Sequence, residues 1–239
     1  MKKGLKKYIK KAYAPPLPQH KDSFLYSLNY PKIKWYDFLL SQIGYIRKTV
    51  WVASFLLYLS AILISTHLNY DSIKLLWPVS AILPYLALIT ITETARSAVY
   101  GLSELEMTTR YNLRGVLLSR MAVIGAGNFI FLFMMIPVLA HKIDLNLFHI
   151  GIYLLVPYLL TCFLCFWLVN KVRTKDFSYY CAVIAFVISG CELFLSQLYA
   201  FIYEQQYLIL WFFATIILTI LLIKEIKKLI IHSEALIWN

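Results

Sequence analysis

VLLSRMAVIGAGNFIFLFMMIPVLA, residues 116–140, is the stretch that decides the fold. Its single charged side chain, Arg120, stands near the start, and the remainder is apolar, small or amidic. A ~30 Å hydrocarbon layer takes about 20 such residues per helical crossing, so this segment reads as a membrane span. Five further runs of the same kind lie at 49–66, 73–92, 148–169, 179–201 and 206–224. The expected fold class is therefore all-α, a polytopic membrane protein of six transmembrane helices. Composition agrees: 61% of the 239 residues are hydrophobic and 15% are charged, where a soluble domain carries roughly 25% charge and needs it to cover its surface. Pro78, Pro84, Pro137 and Pro157 fall inside the runs. Kinks are expected there, since neighbouring helices can re-satisfy the carbonyls that a proline frees.

Residues 1–48 form a basic N-terminal segment. Leu5, Tyr8, Ile9, Ala12 and Tyr13 recur at helical spacing opposite six lysines, a pattern suited to an anionic membrane surface or to a solvated, topology-setting tail. The prolines of APPLP (14–18) end that pattern. The basic start runs into these prolines and not into an apolar stretch with a cleavage site, so it is expected to be retained. Trp35, Phe38, Leu39, Gln42, Ile43 and Ile46 then share one stripe, an interfacial helix turning into the first span.

The net charge of +11 points to topology and not to nucleic acid. With the N-terminus inside, the external loops hold only Lys74 and Lys142 of the 23 Lys and Arg. By the positive-inside rule both termini are expected in the cytoplasm of a cell-membrane protein, with residues 225–239 as a C-terminal tail. No recognition motif accompanies the charge, so no nucleic-acid partner is expected.

Few residues carry possible chemistry. The longest cytoplasmic connection follows span two and includes the coupling loop 93–115, which concentrates Glu93, Arg96, Glu104, Glu106, Arg110 and Arg114. Glu104 and Glu106 are available to a basic partner, although charges at span ends are also ordinary interfacial residues. Glu192 is an acidic residue deep in an apolar run, with Ser189 and Gln197 nearby. A carboxylate there must be protonated, paired or open to a polar cavity; substrate pathway, proton relay and structural hydrogen bond all remain open. Asn128 and Asn170 read as packing or cavity groups. Cys162 and Cys165 form a CxxC on one helical face with no further ligand nearby in sequence. His67, His141, His149, Asp71 and Asp144 lack the spacing of a metal site. No metal and no cofactor is expected. Phosphate-loop, HExxH and GxSxG motifs are missing from the sequence, so the chain reads as a non-enzyme, and any ATP-driven role requires a partner ATPase.

The elbow-like PKIKWYDFLLSQIGYIRK (31–48) and SELEMTTRYNLRGVLLSRM (103–121) resemble the permease subunits of type-2 ATP-binding-cassette exporters. In that family an amphipathic elbow precedes span one and a coupling helix between spans two and three docks on the ATPase. The resemblance implies that Glu104, Glu106 and Met107, with Arg110 and Arg114, belong to the coupling element, while Arg114 and Arg120 flank the start of span three. It also implies an ATPase partner, a second permease copy or a related permease, and an amphipathic or apolar cargo such as a lipid, peptide or drug. The chain departs from the family at the break, where Tyr111–Arg114 replace a common Pro-apolar-Ser/Thr pattern. Only GCELFLSQLYAFIYEQQ (190–206) could supply the external re-entrant helices of that family. The competing function is a membrane sensor or regulator that binds a soluble cytoplasmic partner through its N-terminal tail.

Overall fold

The computed structural model describes residues 35–67, 75–99, 113–143, 146–172, 176–198, 203 and 205–235. The chain divides into two units, residues 1–37 and 38–239, and the architecture below is that of the second. Among the described residues the structure is helical, without strands.

Helix α1, Trp35–Tyr45, buries Gln42 and leads to a break at Ile46–Arg47. Helix α2, Lys48–His67, is the first span. Its buried residues, Val50, Ser54, Ala61 and Ser65, make one narrow stripe of mostly small side chains, which allow close backbone approach. Span two comes as two helices, α3 (Leu76–Ser80) and α4 (Leu83–Val99). The break follows from Pro84, which has no N–H to give Ser80 and whose ring clashes with that carbonyl. Tighter turns carry the chain across it, from Ile82 N to Val79 O at 3.2 Å and from Tyr85 N to Ile82 O at 3.1 Å.

Helices α5 (Leu113–Ala140), α6 (Leu147–Lys171) and α7 (Phe177–Leu198) form spans three to five, and a 3₁₀ turn at Gln205–Tyr207 leads into α8 (Leu208–Ala235). Six helical stretches are thus long and apolar enough to cross a membrane.

The prolines behave differently from one another. Pro78 sits in the first turn of α3, where its N–H would be unsatisfied in any case. Pro137 and Pro157 lie within uninterrupted helices, each forfeiting one backbone bond in a run long enough to continue past it. Two stretches outside the expected spans are also helical. Residues 93–99 belong to α4, and 225–235 continue α8, where Leu229 and Ile230, just after Lys227 and Lys228, are buried in the apolar cluster at the Lys48 end of the bundle.

Helix α6 lies at the centre, touching α3, α4, α5, α7 and α8. Two apolar clusters stack along it. One joins Leu75, Trp77, Leu86, Leu139, Ile150 and Tyr153 at the His67 end of the bundle. The other joins Ile91, Leu117, Cys165, Phe166, Phe177 and Cys181 at the Lys48 end.

Candidate functional site

Fifteen residues beyond Phe177, about 22 Å along α7 at ~1.5 Å per residue, Glu192 meets Ser80 near the start of span two and Tyr203 of the segment before span six. Its Oε2 accepts a hydrogen bond from the Tyr203 hydroxyl at 2.6 Å. The Ser80 hydroxyl is within hydrogen-bonding reach of both groups and also donates to Trp77 O at 2.9 Å. Ser80 reaches this position because the break before Pro84 leaves it in the last turn of α3. An O–H donated to a carboxylate is among the stronger protein hydrogen bonds. Burial, together with the neighbouring Glu192, pushes the Tyr203 phenol well above its ordinary value, so it remains a donor throughout the physiological range.

Aromatic rings enclose this pair. Tyr153 sets its edge against Tyr203 at 5.3 Å, and Trp211 lies 5.4 Å from Tyr203 and 5.3 Å from Tyr153, at 89° to the latter. Trp77 stands 5.7 Å from Tyr203, and its buried Nε1 has no hydrogen-bond partner. Ser80, Tyr153, Tyr203 and Trp77 are all buried. The arrangement is a carboxylate and two hydroxyls inside an apolar and aromatic wall, where each polar interaction gains strength from the low local dielectric.

Of the two residues singled out for an intramembrane site, Glu192 is thus paired with Tyr203. Gln197 lies on the same helix, its side chain outside the described residues. Ser189 is buried one turn before Glu192. Trp77, Ser80, Tyr153, Tyr203 and Trp211 escaped the sequence reading. Aromatic residues near span ends were the available signal, but they are common at both membrane interfaces and select no partner.

A second polar cluster lies deeper. Asn128 of α5 donates to the Thr90 hydroxyl of α4, and its Nδ2 is 3.4 Å from the Tyr158 hydroxyl of α6 and 3.5 Å from Leu86 O. Cys162 bonds to Tyr158 in turn. This cluster ties three spans together, the packing role expected of polar groups between membrane helices. At the Lys48 end, Asn170 Nδ2 donates to Glu225 Oε2 at 2.7 Å and to Glu225 O at 3.0 Å, and Arg96 lies 3.9 Å from Glu93.

The cysteines are all free. Cys165 has a neighbour that its CxxC spacing did not reveal, because α7 brings Cys181 against it, with Cys165 Sγ 3.9 Å from Cys181 O. Among the described residues no group of three or more His, Cys, Asp or Glu is arranged to hold a metal ion. His67 and His141 are exposed while His149 is buried; Asp71 and Asp144 lie outside the described residues. Of the coupling residues, Glu104, Glu106, Met107 and Arg110 also lie outside them. Arg114 falls in the first turn of α5, its side chain not among those described.

Comparison with known proteins returns no match: no family model, no characterised protein and no solved structure aligns with this chain.

Proposed function

We propose that this chain is the membrane-spanning subunit of a transporter in the cell membrane, powered by a separate ATPase of the ATP-binding-cassette type. The observation that carries the reading is the Glu192–Tyr203–Ser80 site, a hydrogen-bonded carboxylate retained where spans two, four, five and six meet. Ionisable groups at membrane depth are costly and mark pathways for substrates or ions. A bundle that needed only stability would be served by the Asn128 cluster. Both termini lie in the cytoplasm in this reading. Lys142 is the only Lys or Arg at the His67 end among the described residues, and Lys48, Arg96, Lys171, Lys227 and Lys228 gather at the other, the asymmetry of the positive-inside rule.

The subunit works with a second copy or a related permease and moves an amphipathic or apolar cargo, such as a lipid, peptide or drug. Glu104, Glu106 and Met107 meet the ATPase with Arg110 and Arg114, and ATP hydrolysis resides on that partner. The chain itself is not an enzyme.

Purification of the tagged full-length protein from its native membrane in mild detergent, followed by mass spectrometry, tests the assignment. A stoichiometric cassette ATPase, displaced by Glu104→Lys with Glu106→Lys, is the expected result. Recovery of a soluble regulatory protein, lost on deletion of residues 1–30, replaces transport with sensing. Recovery of neither removes the transport assignment as well.

A further inference from the structure

Cys165 of α6 and Cys181 of α7 are both fully buried, and they stand against each other. The Cys165 Sγ lies 3.9 Å from Cys181 O, and the two thiols are hydrogen-bonded. The chain's course accounts for the meeting. Helices α6 and α7 follow one another through the short connection 172–176 and pack together. Cys165 lies six residues before Lys171 and Cys181 four after Phe177, about 9 Å and 6 Å along their helices at ~1.5 Å per residue. These similar depths set the two sulfurs across the helix pair from one another. Cys162, one turn away on α6, is engaged elsewhere through its bond to Tyr158.

Two adjoining thiols can hold a metal ion or join as a disulfide, and the setting decides between these. The surroundings are the apolar cluster of Ile91, Phe166, Val169 and Phe177. Thiolate-bound metals such as zinc take four ligands, and among the described residues no group of three or more His, Cys, Asp or Glu is arranged to supply them. Two thiolates on a soft monovalent ion would leave a net negative charge, which an apolar interior penalises. A disulfide is neutral and needs no further ligand.

Burial makes a thiol inert to reagents dissolved in water, but the medium around this bundle is hydrocarbon. The outer face of α7 carries the exposed Tyr180, Val183 and Val187, so the pair sits behind a helix that meets lipid. Charged reagents are costly to bring to that depth. Apolar ones dissolve there.

We propose that Cys165 and Cys181 form a redox-active dithiol that an apolar hydroperoxide of the bilayer converts to a disulfide, joining span four to span five. One sulfur attacks the terminal peroxide oxygen, the O–O bond breaks and an alcohol leaves, giving a sulfenic acid. The second sulfur attacks the first, the S–O bond breaks, and the hydroxide leaves as water with the second thiol's proton. Two thiols and one hydroperoxide thus give one disulfide, one alcohol and one water, with two electrons passing from sulfur to the peroxide oxygens. A dithiol reductant that dissolves in hydrocarbon restores the pair. This inference stands apart from the transport reading, since the thiols meet whatever the bundle moves.

The test uses the full-length protein in nanodiscs of saturated phosphatidylcholine, treated with cumene hydroperoxide or, in parallel, with hydrogen peroxide. The protein is then unfolded, alkylated with N-ethylmaleimide and analysed by mass spectrometry. Alkylation should fall from the four free cysteines to two, with the mass of two hydrogens lost and Cys165 joined to Cys181 in the peptide map. Linkage should be faster with cumene hydroperoxide; the reverse order overturns the bilayer source. Cys165→Ser and Cys181→Ser should each abolish the link, and Cys162→Ser should leave it. The wild-type masses decide the matter even where a serine variant fails to fold. Four alkylated cysteines after treatment overturn the proposal. So does a link through Cys162, or oxidation of the exposed Cys191 while Cys165 and Cys181 remain alkylated, which makes exposure and not pairing the controlling factor.

Discussion

Spans four and six have the same mean hydropathy, 2.2, and nearly equal lengths of 25 and 24 residues, yet 61% of the span-four window is buried and 11% of the span-six window. In water, apolar content decides which helix goes inside. In a bilayer the lipid is as apolar as leucine, and packing contacts with interhelical hydrogen bonds decide instead. Helix α6 carries Gly151, Tyr153, Tyr158, Thr161, Cys162 and Cys165, side chains that are small or able to bond across an interface. Helix α8 turns Ile209, Phe213, Ile217 and Ile220 to the lipid and buries a narrow stripe that includes Thr215. Span two follows the same rule as span four: its window, with Ser80, Thr90 and Thr94 inside, is also 61% buried despite the lowest hydropathy of the six, 1.4.

The sharpest way to break this contrast is to place the same bulky side chain on both helices. Cys165→Trp overpacks a fully buried position of α6 and should cost ~3 kcal/mol or more, while Ile217→Trp on the lipid face of α8 should stay within about 0.5 kcal/mol. Unfolding in lipid by steric trapping reads both; equal losses would end the distinction between centre and rim.

Next in size is Glu192→Leu, which leaves the Tyr203 hydroxyl buried without its acceptor and should cost ~1–3 kcal/mol. Glu192→Gln keeps an acceptor and should lose less than half as much. If the amide and the leucine lower the midpoint equally, the hydrogen bond from Tyr203 contributes nothing to the fold.

Asn128→Leu removes the donor shared by Thr90, Tyr158 and Leu86 O, and should cost ~0.6–1.7 kcal/mol with helix content unchanged by circular dichroism. The smallest effect belongs to the rim. A Cβ at Gly127 would approach the Trp51 ring to 2.9 Å, so Gly127→Ala must push that partly buried ring outward on α2, of whose window only 22% is buried. A change below ~1 kcal/mol with a measurable shift in tryptophan emission is expected. A loss as large as that from Cys165→Trp would make α2 as central as α6.

What could be read from the sequence follows the same division. That the fold is helical with six stretches long and apolar enough to span was legible because hydropathy is a one-dimensional property, and the bilayer's thickness sets its length scale. Glu192 was legible because a carboxylate within an apolar run stands out without knowledge of its neighbours. Its partners were not. Tyr203 comes back across the connection before span six, and Ser80 and Trp77 arrive from span two through helix packing that the order of residues does not encode locally. Cys181 beside Cys165 was hidden for the same reason. The sequence places Glu225 at the start of a tail, where Lys224, Lys227 and Lys228 follow the apolar run. Helix α8 continues through these residues, placing the Glu225 carboxylate against Asn170 of α6, a contact that local sequence does not encode.

The central claim is that the Glu192 site serves transport and the Asn128 cluster only holds the bundle. The most direct measurement is ATP turnover by the complex with the cassette ATPase proposed above, assembled in lipid nanodiscs and compared among the wild type, Glu192→Gln and Asn128→Leu. The account predicts about tenfold lower turnover for Glu192→Gln in an intact complex, with Asn128→Leu at the wild-type rate. Wild-type turnover in Glu192→Gln, or an equal loss in both variants, would contradict it.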